Sequence, residues 1–171
     1  MSGRVINPLI PMLAITGKPV CRKMRQMLEA YKKVGIDAVM LYPRSGLEIE
    51  YMSEEWRRFC EEVIRAAKEL DMKIWLYDEF NWPSGSCKNM VAKEDISYVA
   101  KRFICKDGAV TVDVMQPGAA ERVFDPFDSD MLNPEAIQCF IRLTHERYYQ
   151  WFGEYFGNVI LGIFTDEPSF I

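Results

Sequence analysis

Three amphipathic helical stretches, each followed within a few residues by a short apolar run, constrain this chain more than any other feature. The first places Met24, Met27, Leu28, Tyr31 and Val34 on one stripe and ends near Gly35, a residue suited to the left-handed turn that closes a helix. The second opens after Ser53, a capping residue, with Glu54 and Glu55 in the positively polarised first turn. Trp56, Phe59, Cys60, Val63, Ile64, Ala67 and Leu70 keep its apolar face in phase. The third takes Asn133 as its cap and Pro134 as its first helical residue, and its stripe, from Ile137 and Phe140 through Thr144 and Tyr148 to Phe152 and Tyr155, runs on until Gly157. The apolar runs after these helices cover residues 38–42, 73–77 and 159–164, and a fourth, residues 9–15, precedes the first helix. Helices alternating with short apolar strands across two- or three-residue links are the signature of βαβ crossovers and a parallel sheet. The expected fold class is α/β, with four strands and three intervening helices.

The stretch from 86 to 132 is too long for one connecting loop and needs structure of its own. Residues 98–106 and 109–115 flank Asp107-Gly108, a strong two-residue hairpin signal. A small β-insertion after the third sheet strand is therefore expected within one domain of residues 1–171, on the side where the strands end.

Composition removes several functions. A net charge of −4 without a basic stripe argues against nucleic acid as a partner. Five cysteines at unpatterned spacings, no CxxC pair and a single histidine argue against a structural zinc site. Reduced thiols in a cytoplasm are the simplest reading. The apolar stretch 5–15 is interrupted by Pro8 and Pro11 and is too short to span a bilayer, so a soluble protein with no membrane partner is expected. No glycine-rich phosphate loop or dinucleotide fingerprint comes after any strand.

Two strands end on acid. Residues 73–77 run into Asp78-Glu79-Phe80-Asn81-Trp82-Pro83-Ser84-Gly85, and residues 159–164 into Thr165-Asp166-Glu167-Pro168. The carboxyl ends of parallel strands are where barrel and open α/β folds keep their chemistry. Glu167 suits a general acid, whereas its bland alternative is a helix cap or a loop ion pair. Trp82, outside its strand, offers a flat apolar face of the kind a sugar ring stacks on; Trp75, inside, reads as core. Arg44, after the second strand, can bind substrate hydroxyls or merely neutralise an acidic end. His145 reads as a helix-packing or solvent-facing residue. The carboxylates Asp78, Glu79, Asp166 and Glu167 are also hard-oxygen groups that suit a divalent cation such as calcium, although no metal ligand is assigned and no cofactor is required.

Six segments in this order carry a resemblance: Gly35-Ile36-Asp37-Ala38-Val39, Pro43-Arg44-Ser45-Gly46-Leu47, Ser53-Glu54-Glu55-Trp56, Trp75-Leu76-Tyr77-Asp78-Glu79 with Trp82-Pro83-Ser84-Gly85, Leu132-Asn133-Pro134-Glu135, and Phe164-Thr165-Asp166-Glu167-Pro168. Together the chain resembles the amino-terminal half of the catalytic barrel of bacterial α-L-rhamnosidase-like glycoside hydrolases. The resemblance implies a partial (β/α)8 TIM barrel of about four βα units and hydrolysis of O-glycosidic bonds. It implies Glu167 as the catalytic carboxylate, with Asp78, Glu79, Trp82, Arg44 and Asp166 at the carbohydrate. A second catalytic carboxyl is expected from a later strand. Eight strands close such a barrel in typically ~250 residues, so four imply a fragment, or a chain completed by its own copy or by a companion. A non-catalytic carbohydrate-binding or scaffold half-barrel is the alternative.

Overall fold

The computed structural model describes residues 9–114 and 128–168. Residues 5–8 of the first apolar stretch, Met115 of the expected hairpin, and 115–127 of the expected insertion lie outside them. The chain divides into two compact units, one of residues up to Tyr77 with Tyr148–Phe164, the other of Asp78–Arg147 with the residues from Thr165 on. Two of the three divisions fall where sheet strands end, and the third lies between Arg147 and Tyr148.

The first unit is built on a parallel sheet of β1 (Met12–Gly17), β2 (Ala38–Leu47), β3 (Lys73–Tyr77) and β6 (Ile160–Phe164), adjacent in that order. The register runs Met12↔Met40, Leu41↔Leu76 and Tyr77↔Phe164. Helices α1 (Cys21–Lys33) and α2 (Glu54–Glu69) make the first two crossovers. Among the described residues this is an open sheet, with no closed barrel.

Prolines set the strand limits. Pro11 has no N–H to donate, so the first strand begins at Met12 rather than at residue 9, and Pro11 serves only as acceptor, its carbonyl taking the Met40 N–H at 2.9 Å. That bond turns Met40 towards β1, so by alternation the nitrogen of Pro43 faces the β3 side, where the ladder already stopped at Leu41↔Leu76. The missing donor costs nothing there, and β2 continues past the expected residue 42 to Leu47.

Helices α1 and α2 end alike. The Ile36 N–H reaches Tyr31 O at 3.0 Å and the Gly35 N–H reaches Lys32 O at 3.1 Å; Met72 and Asp71 repeat this on Ala67 O and Lys68 O at 2.8 and 3.2 Å. This pairing satisfies the last carbonyls and turns the chain back towards the sheet in two residues. Ser53 caps α2, its Oγ accepting the Trp56 N–H at 3.2 Å, as the sequence implied. The stripe of α1 is narrower than expected. Met24 and Leu28 are buried, but Met27 is 41% and Val34 72% exposed. Both flank the Met24–Leu28 seam by roughly 100° around the helix axis.

Gly162 on β6 lies opposite Trp75 on β3. A Cβ there would stand 2.9 Å from Trp75 Cζ3 and 3.3 Å from Cη2, and an indole ring cannot bend aside as a flexible side chain can. Gly162→Ala is expected to cost about 1–3 kcal/mol in urea unfolding, the range for an overpacked contact. An unchanged midpoint would mean that the ring moves freely.

The second unit contains α3 (Met90–Glu94), the hairpin β4 (Lys101–Lys106) and β5 (Ala109–Val114), and α4 (Pro134–Ile141). The hairpin pairs Lys106 with Ala109 across Asp107 and Gly108, whose φ values of 51° and 79° give the primed turn that matches strand twist. Asn133 caps α4 through Oδ1 to the Glu135 N–H at 3.0 Å, with Pro134 at its first turn. The helix then widens into a π-helical turn over Arg142–Glu146 before continuing as α5 (Arg147–Phe152), where a regular helix was expected throughout. Among the described residues no helix is long and apolar enough to cross a membrane.

Candidate functional site

The acidic segments after β3 and β6 belong to the second unit and are tied together there. Asp78, the first residue past β3, is fully buried. Its Oδ1 accepts the Ser84 hydroxyl at 2.5 Å and its Oδ2 the Thr165 hydroxyl at 2.6 Å. Ser84 also pairs with Asp166: the Asp166 N–H donates to Ser84 Oγ at 2.9 Å, and the Ser84 N–H to Asp166 O at 2.9 Å. One buried carboxylate thus holds the loop after β3 against the residues after β6. His145 Nε2 lies 3.5 Å from Oδ2.

Burial pushes the Asp78 carboxyl above the ordinary aspartate range, because removal from water penalises its charged form. The Ser84 and Thr165 hydroxyls and His145 act the other way without cancelling the effect. Folding therefore binds a proton at Asp78 more tightly than the unfolded chain does. Its contribution to stability is most favourable below the unfolded aspartate pKa and falls as pH rises through the folded one. Asp78→Asn should flatten that decline between pH 4 and neutrality, read from urea unfolding across pH. A slope identical to that of the parent chain would show that Asp78 is not the group responsible.

Glu79 does something different. Its Oε1 accepts the N–H groups of Phe80 and Lys88 at 2.8 and 2.7 Å. Its Oε2 accepts those of Gly85, Ser86 and Cys87 at 3.1, 2.8 and 2.6 Å, together with the Ser86 hydroxyl at 3.3 Å. The carboxylate is buried and spends both oxygens on its own loop. That loop needs it: Cys87, Lys88 and Asn89 in succession hold left-handed φ values of 48°, 53° and 61°. Each costs roughly 1–2 kcal/mol for a residue with a Cβ, whereas a charge-assisted hydrogen bond contributes roughly 1.5–3 kcal/mol. Gly85, at φ 138°, occupies a region open essentially only to glycine. Glu79, which the resemblance implies at the carbohydrate, is buried here and accepts the N–H groups of this loop.

The remaining residues divide. Trp82 is 46% exposed, two residues before the Ser84–Asp166 pairing. Glu167 is exposed one residue after it and holds φ 41°, a left-handed conformation next to Pro168, which ordinarily drives its predecessor to extended backbone. Asp166 is half-buried. Arg44 belongs to the first unit, on β2, where its Nη1 donates to the Tyr42 hydroxyl and its guanidinium stands 4.8 Å from the Tyr42 ring centroid. Tyr42 packs against Tyr77 with ring centroids 4.4 Å apart and planes tilted by 49°, and Tyr77 stacks on Phe164 at 6.0 Å, so an aromatic row crosses β2, β3 and β6. Among the described residues, no three His, Cys, Asp or Glu side chains are grouped so as to hold a metal ion.

Sequence reasoning overlooked Ser84, Thr165 and His145 as members of this cluster. Thr165 lies beside Asp166, and Ser84 two residues after Trp82; hydroxyls within the segments that follow the acidic strand ends are the signal that could have found them. No protein-family model and no curated protein matches this chain.

Proposed function

We propose that this chain carries the amino-terminal half of a (β/α)8 glycoside hydrolase barrel, acting on O-glycosidic bonds of an α-L-rhamnoside-like carbohydrate with Glu167 as general acid. The observation that carries the reading is the Asp78 junction. By joining the loops after β3 and β6 through Ser84 and Thr165, it sets exposed Trp82 and exposed Glu167 within three residues of a single backbone pairing. A flat apolar face and an accessible carboxyl on joined strand-end loops are two of the features that glycoside cleavage uses, the second carboxyl being expected from a later strand. Backbone strain at Glu167 supports the same reading, since such strain collects at functional positions.

The strand order supports the half-barrel. Each new strand adds to the same side of the sheet, β1-β2-β3-β6, with no reversal of the kind that makes a doubly wound crevice. Both outer strands, β1 and β6, have a neighbour on one side only among the described residues. Those edges favour a second reading: a binding or scaffold module completed by its own copy or by a companion chain. The free thiols fit a reducing cytoplasm, where we place the protein.

The test is turnover measured against binding. A panel of aryl and natural glycosides is incubated with the chain, and reducing-sugar release and calorimetric binding are tracked together. Release from an α-L-rhamnoside-type substrate is the expected result. Saturable binding without release would favour the module, and neither would remove both readings.

A further inference from the structure

The single histidine of the sequence lies in the π-helical turn, where periodicity alone makes it one more helix residue. A π turn takes up one extra residue, which rotates the downstream side chains by about 100° relative to a regular helix. Such turns recur at functional sites. Here the turn contains Thr144 and His145. Thr144 has one hydroxyl proton and donates it to Phe140 O at 2.7 Å. The 2.9 Å contact between the same oxygen and His145 Nδ1 therefore takes its hydrogen from the imidazole. With Nδ1 committed as donor, Nε2 is the nitrogen left to face Asp78, 3.5 Å from Oδ2, and the proton between them is carried by a doubly protonated ring or by the Asp78 carboxyl. The ring edge also packs against Phe140, centroids 5.8 Å apart at 73°.

We propose that His145 is a positioning residue: oriented by Thr144, it fixes the buried Asp78 carboxylate and, through Thr165, the segment that presents Glu167. The order hydroxyl, imidazole, carboxylate, hydroxyl runs from the π turn to the residues after β6, its longest step the 3.5 Å contact between Nε2 and Oδ2. A buried carboxylate is expensive unless paired, and His145 is the basic side chain at ion-pair distance from Asp78. Losing His145 removes the basic side chain from Asp78, and the Thr165 anchor loosens with it. The catalytic consequence rests on the assignment of Glu167 above, whereas the geometry of the relay does not.

Nitrogen-15 NMR of the 171-residue chain tests it without substrate, because one histidine gives one imidazole pattern. The expected spectrum has a hydrogen on Nδ1, whether the proton between Nε2 and Asp78 sits on the ring or on the carboxyl. Thr144→Val removes the acceptor and should shift the ring towards the Nε2–H form that free imidazole prefers. His145→Gln, whose amide can still hydrogen-bond Asp78, should leave the backbone signals of Thr165 and Asp166 in place, whereas His145→Leu should move them. A parent imidazole with its lone pair on Nδ1 would overturn the proposal. So would equal behaviour of the Gln and Leu variants. With an active glycoside in hand, His145→Leu should lower kcat at least tenfold with little change in KM, and the Gln variant should recover most of it. If the Glu167 reading fails, no glycoside is turned over while the imidazole pattern stands; if the relay fails, the pattern is lost while turnover by the parent chain remains.

Discussion

Replacing Glu167 by Gln is expected to lower kcat for glycosides with poor leaving groups by about 10²–10⁴, the contribution of a positioned proton donor. The amide keeps the size and reach of the carboxyl but cannot protonate the departing oxygen. Glycosides whose leaving group needs no proton, such as nitrophenyl derivatives, should suffer much less in the step that expels it. That contrast separates lost acid catalysis from general damage. Because Glu167 is exposed and makes no hydrogen bond with a described residue, the thermal midpoint should stay where it is. Equal loss on both substrate types would argue that Glu167 binds or orients rather than protonates. Full activity on a poor leaving group would remove it from the mechanism.

The second large effect is on folding. Glu79→Gln places an NH2 where one carboxylate oxygen now receives at least two N–H donors, whichever way the amide turns. Donor then faces donor in a site closed to water, and the left-handed run at Cys87, Lys88 and Asn89 loses its compensation. A loss of at least ~3 kcal/mol in urea unfolding is expected, beyond what one neutral hydrogen bond would account for. Lys88 and Asn89 amides should also exchange with solvent earlier than those of β3. A loss below ~1 kcal/mol would show that the loop keeps its shape without the charge. Two glutamates, each following an apolar strand with an aspartate before it, thus differ in surroundings: Glu79 is buried among the N–H groups of its own loop, and Glu167 is exposed.

Much of this was legible in the residues. Helix caps at Ser53 and Asn133, the left-handed exit at Gly35 and the Asp107-Gly108 turn depend on a few neighbouring backbone groups, so local chemistry settles them. The sheet strands were legible because buried parallel strands are continuously apolar; two limits moved at prolines, and β1 and β6 differ by two residues and one residue at their other ends. The acidic strand ends could be located as well, as candidates.

What each acid does could not be read that way. Asp78 and Glu79 are adjacent and chemically near-identical, yet one joins two segments 87 residues apart and the other collects the amides of its own loop. The choice depends on which donors lie within about 3 Å once the chain is folded, and no pattern along the sequence encodes that distance. His145 is the same case: a helical wheel places it by a uniform turn, and the π turn breaks that uniformity. The sequence by itself determined the elements, their order and the acidic strand ends, because these depend on contacts within a few residues. Only the tertiary structure decided which polar groups meet, because a hydrogen bond between distant segments exists only after the apolar core has brought them together.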